Sequence, residues 1–170
     1  SSPALYGIAR SAWRLLKTAR RTNPTFRAED LGIMKERLTR EWLRELEKFL
    51  NRTETLNFPT TSSPHVSIVI PVFNRAELTL RCLRSLLKQT EVSLEILVID
   101  NASTDRTQEL FKKIAGVRYV RNDTNRHFFA ASNQGAELAT GKHLLFLNND
   151  TEGWPLAIKR GAEALDRDPK

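Results

Sequence analysis

The chain has 170 residues, 40% hydrophobic and 28% charged, with 27 Lys+Arg against 20 Asp+Glu and a single cysteine, Cys82. That much apolar material can bury one core, which excludes disordered and low-complexity classes, and a lone thiol excludes an intramolecular disulfide, a zinc finger and an iron–sulfur cluster. Six of the seven net positive charges fall in residues 1–27, so the remainder is nearly neutral and offers no nucleic-acid channel.

In chain order, Leu5, Ile8, Ala12, Leu15, Leu16 and Ala19 share one side of a helical wheel, opposite Arg10, Arg14, Lys17 and Arg21. This predicts a basic amphipathic helix, with residues 4–21 suited to an anionic membrane surface or to a protein partner. A second helix is predicted over 28–50, with Leu31, Met34, Leu38, Trp42, Leu46 and Phe49 as its stripe and Glu36/Arg40 and Arg37/Glu41 as i,i+4 pairs. Together these form a helical extension over 1–50. Residues 51–64, rich in Thr, Ser, Asn and Pro without an apolar period, are expected to be a linker.

From residue 65 onward, short β-branched runs alternate with amphipathic helices. Strands are predicted at 66–70, 94–99, 117–120 and 143–147, and helices at 76–88, 106–114 and 128–139. Strands apolar on both faces and about 25 residues apart are the mark of βα units in a parallel sheet, so the fold class is α/β. No run is long and apolar enough to cross a bilayer.

Ligands of open α/β sheets sit beyond the carboxyl ends of the strands. Three such ends carry polar or acidic side chains here: Asn74 and Arg75 after the first strand, Asp100 to Asp105 after the second, and Asn148, Asn149 and Asp150 after the last. Each alone reads as a turn or helix cap, with Ser103 or Thr104 expected to cap the next helix. Their convergence at one edge suggests oxygen ligands for a hard cation. There is no Gly-x-Gly-x-x-Gly or Walker loop, so a bound diphosphate needs a metal or basic side chains for neutralisation.

The segments HVSIVIPVFNR (65–75), LVIDNASTD (97–105) and LLFLNNDT (144–151), with NRHFFAASNQGA (125–136) ahead of ATG (139–141), resemble the nucleotide-binding half of a family 2 glycosyltransferase of GT-A fold. The likeness covers residues 65–168 and is greatest to members that build bacterial cell-surface polysaccharides, including rhamnosyltransferase-like ones. It implies a Rossmann-like parallel-sheet core over 65–170. It also implies a nucleoside-diphosphate sugar donor, UDP- or dTDP-linked, and a saccharide or lipid-linked acceptor, met by a cytoplasmic enzyme peripheral to the inner face of the membrane. By the same resemblance Pro71 and Phe73 line the base pocket with Asn74 nearby, Asp100 accepts a hydrogen bond from the pyrimidine, and Asp150 ligates a Mg2+ or Mn2+ ion.

Asn148 stands at the first acidic position of the family's Asp-x-Asp motif, which leaves a carbonyl oxygen but one charge fewer. His127 stands where relatives often have Gly. The carboxylate base of inverting members lies further downstream of the metal motif, so this chain is expected to be the donor-binding piece of a longer protein, inactive alone. A catalytically silent sugar-nucleotide-binding module is the alternative; a sugar-nucleotide pyrophosphorylase would need a Gly-rich basic loop after the first strand. Four Asn-x-Ser/Thr matches, two of them inside the proposed site, are chance. His65, His127 and His143 lack metal-ligand spacing and are expected to be structural or solvent-facing.

Overall fold

The computed structural model describes residues 28–167, which divide into two compact units, Ser1–Phe49 and Leu50–Lys170. The amphipathic helix expected over residues 4–21 lies outside the described residues. Helix α1 spans Ala28–Asn51, as its apolar stripe predicts. Arg40 there donates from Nε to the Glu36 carbonyl (3.4 Å) rather than to the Glu36 carboxylate.

The second unit is built on a four-stranded parallel sheet. Its strands are β2 (Val66–Val72), β3 (Leu94–Asp100), β5 (Arg118–Arg121) and β6 (His143–Phe146), in the spatial order β5-β3-β2-β6. Every residue of β2 is buried, which explains why the run VSIVIPV has no polar alternation. The helices are α2 (Ala76–Leu86), α3 (Thr107–Phe111), α4 (His127–Leu138) and α5 (Ala157–Arg167). Among the described residues, no helix is long and apolar enough to cross a membrane.

Two expectations need correcting. The stretch expected to be a linker folds onto the second unit: β1 (Leu56–Asn57) pairs in parallel with β4 (Ile114–Ala115), and Leu56, Phe58 and Pro64 are buried. That pairing also ends the helix expected to run to residue 114, because Ile114 and Ala115 are drawn into the ladder and α3 stops at Phe111. The chain then turns at Gly116, whose φ of +76° and whose closeness to Phe58 exclude a side chain: a Cβ there would lie 2.1 Å from the Phe58 carbonyl oxygen.

The core between β2, β3 and α4 centres on Val69, Leu97, Ile99 and Ala131, with Val120, Leu138 and Ala139 packed against it. Ile68 and Ile70 alternate to the other face of β2. On α2, Leu80, Cys82, Leu83 and Leu86 are all at or below 1% exposure. The chain runs outward from β2 through β3 to β5, then returns to place β6 on the opposite side of β2. The sheet's topological switch point therefore lies between β2 and β6, and the crevice beyond their carboxyl ends is where such a fold accepts a ligand.

Candidate functional site at the carboxyl edge of the sheet

After β2 the backbone makes a sharp turn in which Asn74 (φ 58°) and Arg75 (φ 65°) both adopt the left-handed conformation. Asn tolerates this region; Arg does so only when its surroundings insist. Those surroundings are the β3–α3 loop. The Asn74 amide donates to Ser103 Oγ (2.7 Å), while Asn74 Oδ1 accepts from the amides of Thr104 (2.7 Å) and Asp105 (3.2 Å).

Asp105 accepts from the Ala76 amide (2.9 Å) on one oxygen and from the Thr107 amide (3.0 Å) and hydroxyl (2.5 Å) on the other. It therefore satisfies first-turn donors of both α2 and α3. The expectation that Ser103 or Thr104 caps α3 is corrected accordingly: Asp105 holds the helix start, and Ser103 is spent on Asn74. A carboxylate shared by two helices has no local sequence signal, because Ala76 and Asp105 meet only through the sheet.

Asp100 ends β3 and is fully buried (0% exposed). Its Oδ1 accepts from the Ser103 amide (2.8 Å), and its Oδ2 from the Tyr119 hydroxyl and the Arg121 guanidinium, both at 2.5 Å. Burial alone would raise its pKa, but donation by Ser103, Tyr119 and Arg121 outweighs this and holds the carboxyl below its usual range. Burial, and then the Asp100 charge, push the Tyr119 phenol up, so it remains a donor; its ring stacks on Phe111 at 4.3 Å. The direct base contact expected of Asp100 thus meets a carboxylate with no exposed face, since both oxygens are engaged within the protein.

Tyr119 and Arg121 were not anticipated as site residues. Arg121 is the register partner of Asp100 on β5, and their alternation in RYVR places both on one side of that strand. Next to them Asn122 and Gln134 form a reciprocal amide pair (2.9 and 3.0 Å), and Asn122 also donates to Asn101 Oδ1 (3.0 Å). Asn101 Nδ2 in turn donates to the His127 carbonyl (3.3 Å) at the start of α4.

Pro71 is buried within β2 opposite Ile99. Its missing N–H is harmless, because it faces the β6 side beyond Phe146, the last paired residue there. Pro71 thus shapes the strand end from inside, whereas Phe73, 50% exposed, presents its ring to the surface.

Across the switch point, the loop after β6 is pinned to α2. Asn149 donates to Thr79 Oγ1 (3.0 Å), Arg81 pairs with Glu152 (2.6 Å), the Gly153 amide donates to Ser85 Oγ (2.9 Å), and Gln89 donates to the Trp154 carbonyl (2.8 Å). Asn148 is exposed, and its carbonyl accepts from the Thr151 amide (3.1 Å).

Asp150 has a buried Oδ1 with no hydrogen-bond partner. Desolvation raises its pKa, partly countered by the nearby Arg75 charge. A buried, unpaired carboxylate oxygen at the mouth of the crevice has the chemistry of a hard-cation ligand, and the neighbouring Asn148 can add a neutral oxygen. These residues fit a Mg2+ or Mn2+ ion. His65 and His143, distant in sequence, meet at the opposite, amino edge of the sheet, because His143 pairs with Val66.

Residues 67–170 match the family model described as Glycosyl transferase family 2. Glycosyltransferase AglE of Haloferax volcanii is 32% identical over 112 residues, 62% of this chain and 37% of its own length. Among solved structures, Staphylococcus aureus TarS (residues 1–349) in complex with UDP-GlcNAc superposes with a TM-score of 0.55 at 25% identity, over 60% of this chain and 31% of TarS. The mannosyltransferase PcManGT of Pyrobaculum calidifontis, in complex with GDP-Man and Mn2+, gives 0.51 at 25% identity, over 74% and 38%. The chain thus spans about a third of the length of these relatives.

Proposed function

Since the chain belongs to glycosyl transferase family 2, we propose that it supplies the donor-binding part of an enzyme that moves a sugar from a nucleoside diphosphate to a hydroxyl acceptor in cell-surface glycan synthesis. The observation that carries this reading is the orphaned, buried Oδ1 of Asp150 at the switch-point crevice, beside Arg75.

The donor lies across the carboxyl ends of β2 and β6, with its pyrimidine against Phe73 and the strand end shaped by Pro71. Asp100 positions this wall: it fixes Ser103, which fixes the Asn74 amide, and so sets the β2–α2 turn. Asp150, with the amide oxygen of Asn148, holds a divalent cation that neutralises charge on the departing diphosphate. The carboxyl-edge loops need little rearrangement to do this, since each is already tied to a helix or strand, and preorganised polar groups are what stabilise developing charge. The complexes of TarS with UDP-GlcNAc and of PcManGT with GDP-Man and Mn2+ support a sugar nucleotide and a cation at this edge. The acceptor in this reading is a saccharide or lipid-linked saccharide, met at a membrane surface where residues 4–21 can lie.

Titration of the chain with UDP, dTDP and GDP, each with and without Mn2+, tests the reading. Uridine or thymidine diphosphate should bind best, Mn2+ should tighten binding, and Asp150→Asn should abolish the Mn2+ increment, a loss of about tenfold or more. Nucleotide binding that ignores both Mn2+ and Asp150→Asn would refute it.

A further inference from the structure

At the amino edge of the sheet, remote from the carboxyl-edge crevice, three side chains from three elements converge. His65 immediately precedes β2, His143 opens β6, and Asp166 lies in the last turn of α5. The His65 Nε2 stands 2.8 Å from Asp166 Oδ2, the His143 Nε2 stands 2.8 Å from Asp166 Oδ1, and the three ligating atoms lie within 4.8 Å of one another. The two imidazoles lie 5.3 Å apart, tilted by 56°. Their side chains are 35% and 15% exposed and that of Asp166 is 29% exposed, so the cluster is sheltered but open to an entering ion.

The backbone under both histidines is fixed. The His143 amide donates to the His65 carbonyl (3.0 Å), and the His65 amide donates to the Ser93 carbonyl (3.0 Å) and hydroxyl (2.9 Å). Strand termini held in a ladder present side chains with the accuracy a metal site requires. Both rings offer the same nitrogen to the same carboxylate.

We propose that His65, His143 and Asp166 form a second metal site, for a single zinc-class divalent ion, which clips α5 to the amino edge of the sheet. Two imidazole nitrogens and one carboxylate oxygen are a borderline donor set that suits Zn2+ or Co2+ and disfavours Mg2+, the reverse of the all-oxygen set at Asp150 and Asn148. Ligand atoms around a tetrahedral zinc at about 2.0–2.1 Å are spaced by about 3.3 Å, so the observed 2.8 Å contacts must open by about half an ångström, within reach of side-chain rotation. Water completes the fourth position.

The Lys142 ammonium, 2.5 Å from Asp166 Oδ1, is the resident cation that the metal displaces. Because α5 directly follows the loop that carries Asp150, the clip fixes the far end of the segment on which the carboxyl-edge site depends. The proposal does not rest on the nucleotide reading.

Titration of the chain with Co2+ and Zn2+, followed by the visible d–d absorption of Co2+ and by equilibrium dialysis for Zn2+, decides the matter. One equivalent should bind, and a hundredfold excess over Kd should raise Tm by about 5–10 °C. His65→Gln, His143→Gln and Asp166→Asn should each weaken binding about tenfold or more. Lys142→Met should retain or tighten it, and His127→Gln and Asp150→Asn should leave it unchanged. Circular dichroism of the metal-free variants confirms that each is folded, and His65→Gln, at the most exposed ligand, is the one least exposed to folding defects. Absence of stoichiometric Zn2+ binding, binding that survives the His65→Gln/His143→Gln double substitution in a folded chain, or loss of Zn2+ with Asp150→Asn would overturn the proposal.

Discussion

Replacing Gly135 with alanine tests how closely α4 rides on the central strand. A Cβ built there falls 2.3 Å from Val69 Cγ1, 3.1 Å from Cγ2 and 3.2 Å from Val69 Cβ. Rotating Val69 about χ1 relieves the methyl contacts but not the last one, since carbon atoms pack at about 3.5–4.0 Å. Val69 has no room to retreat: it is 0% exposed and packed among Leu97, Ile99 and Ala131. The helix must withdraw, at an overpacking cost of about 1–3 kcal/mol, against which alanine returns about 1 kcal/mol of helix propensity.

The expected net effect is a loss of about 1–2 kcal/mol, or about 2–8 °C in Tm. Gly161 in α5 is the control, because nothing lies within 4 Å of its hypothetical Cβ. The same substitution there should stabilise by about 0.5–1 kcal/mol. Urea unfolding of both variants, compared by midpoint at unchanged m, gives the two signs. A Gly135→Ala protein as stable as Gly161→Ala would refute the packing argument. Because the first residue of α4, His127, accepts a hydrogen bond from Asn101, the shifted helix should also weaken nucleotide binding.

Cys82 should be chemically inert in the native protein. Burial, reinforced by the charges of Asp150 and Glu152, pushes its thiol up to about 12, which leaves about one thiolate in ten thousand at pH 8. Iodoacetamide should label it only after unfolding in guanidinium, and rapid native labelling would contradict its position. For Asp100 the sign follows from a native pKa held below the unfolded value of about 3.9. Its stabilising contribution is complete above that value and is lost as pH falls through the lower native one. Between pH 7 and pH 3 the wild-type urea midpoint should therefore fall more steeply than that of Asp100→Asn; parallel curves would show that the Asp100 cluster contributes no linkage.

The parallel core was legible because β2 and β3 are continuous apolar runs bounded by turn residues, a pattern that arises only when both faces of a strand are covered. The family followed from three strand-end motifs in the right order. Harder to read were the elements that depend on a partner far along the chain. Leu56 and Asn57 look like linker until Ile114 and Ala115 lie beside them, and the same pairing shortens α3. Asp100 looks like an open acceptor until Tyr119 and Arg121 arrive from β5 to occupy it.

Local composition and period thus determined which segments are strands and helices, that the sheet is parallel, and that polar groups cluster at its carboxyl edge, because these properties depend on neighbours a few residues away. Tertiary structure alone decided which of those polar groups remain available. It saturated Asp100, turned Asp105 into a shared cap, and left Asp150 with an unpaired buried oxygen. It also brought His65, His143 and Asp166 together at the other edge. Hydrogen-bond saturation and ligand convergence are set by strand order and register, and these place in contact residues that no local spacing relates.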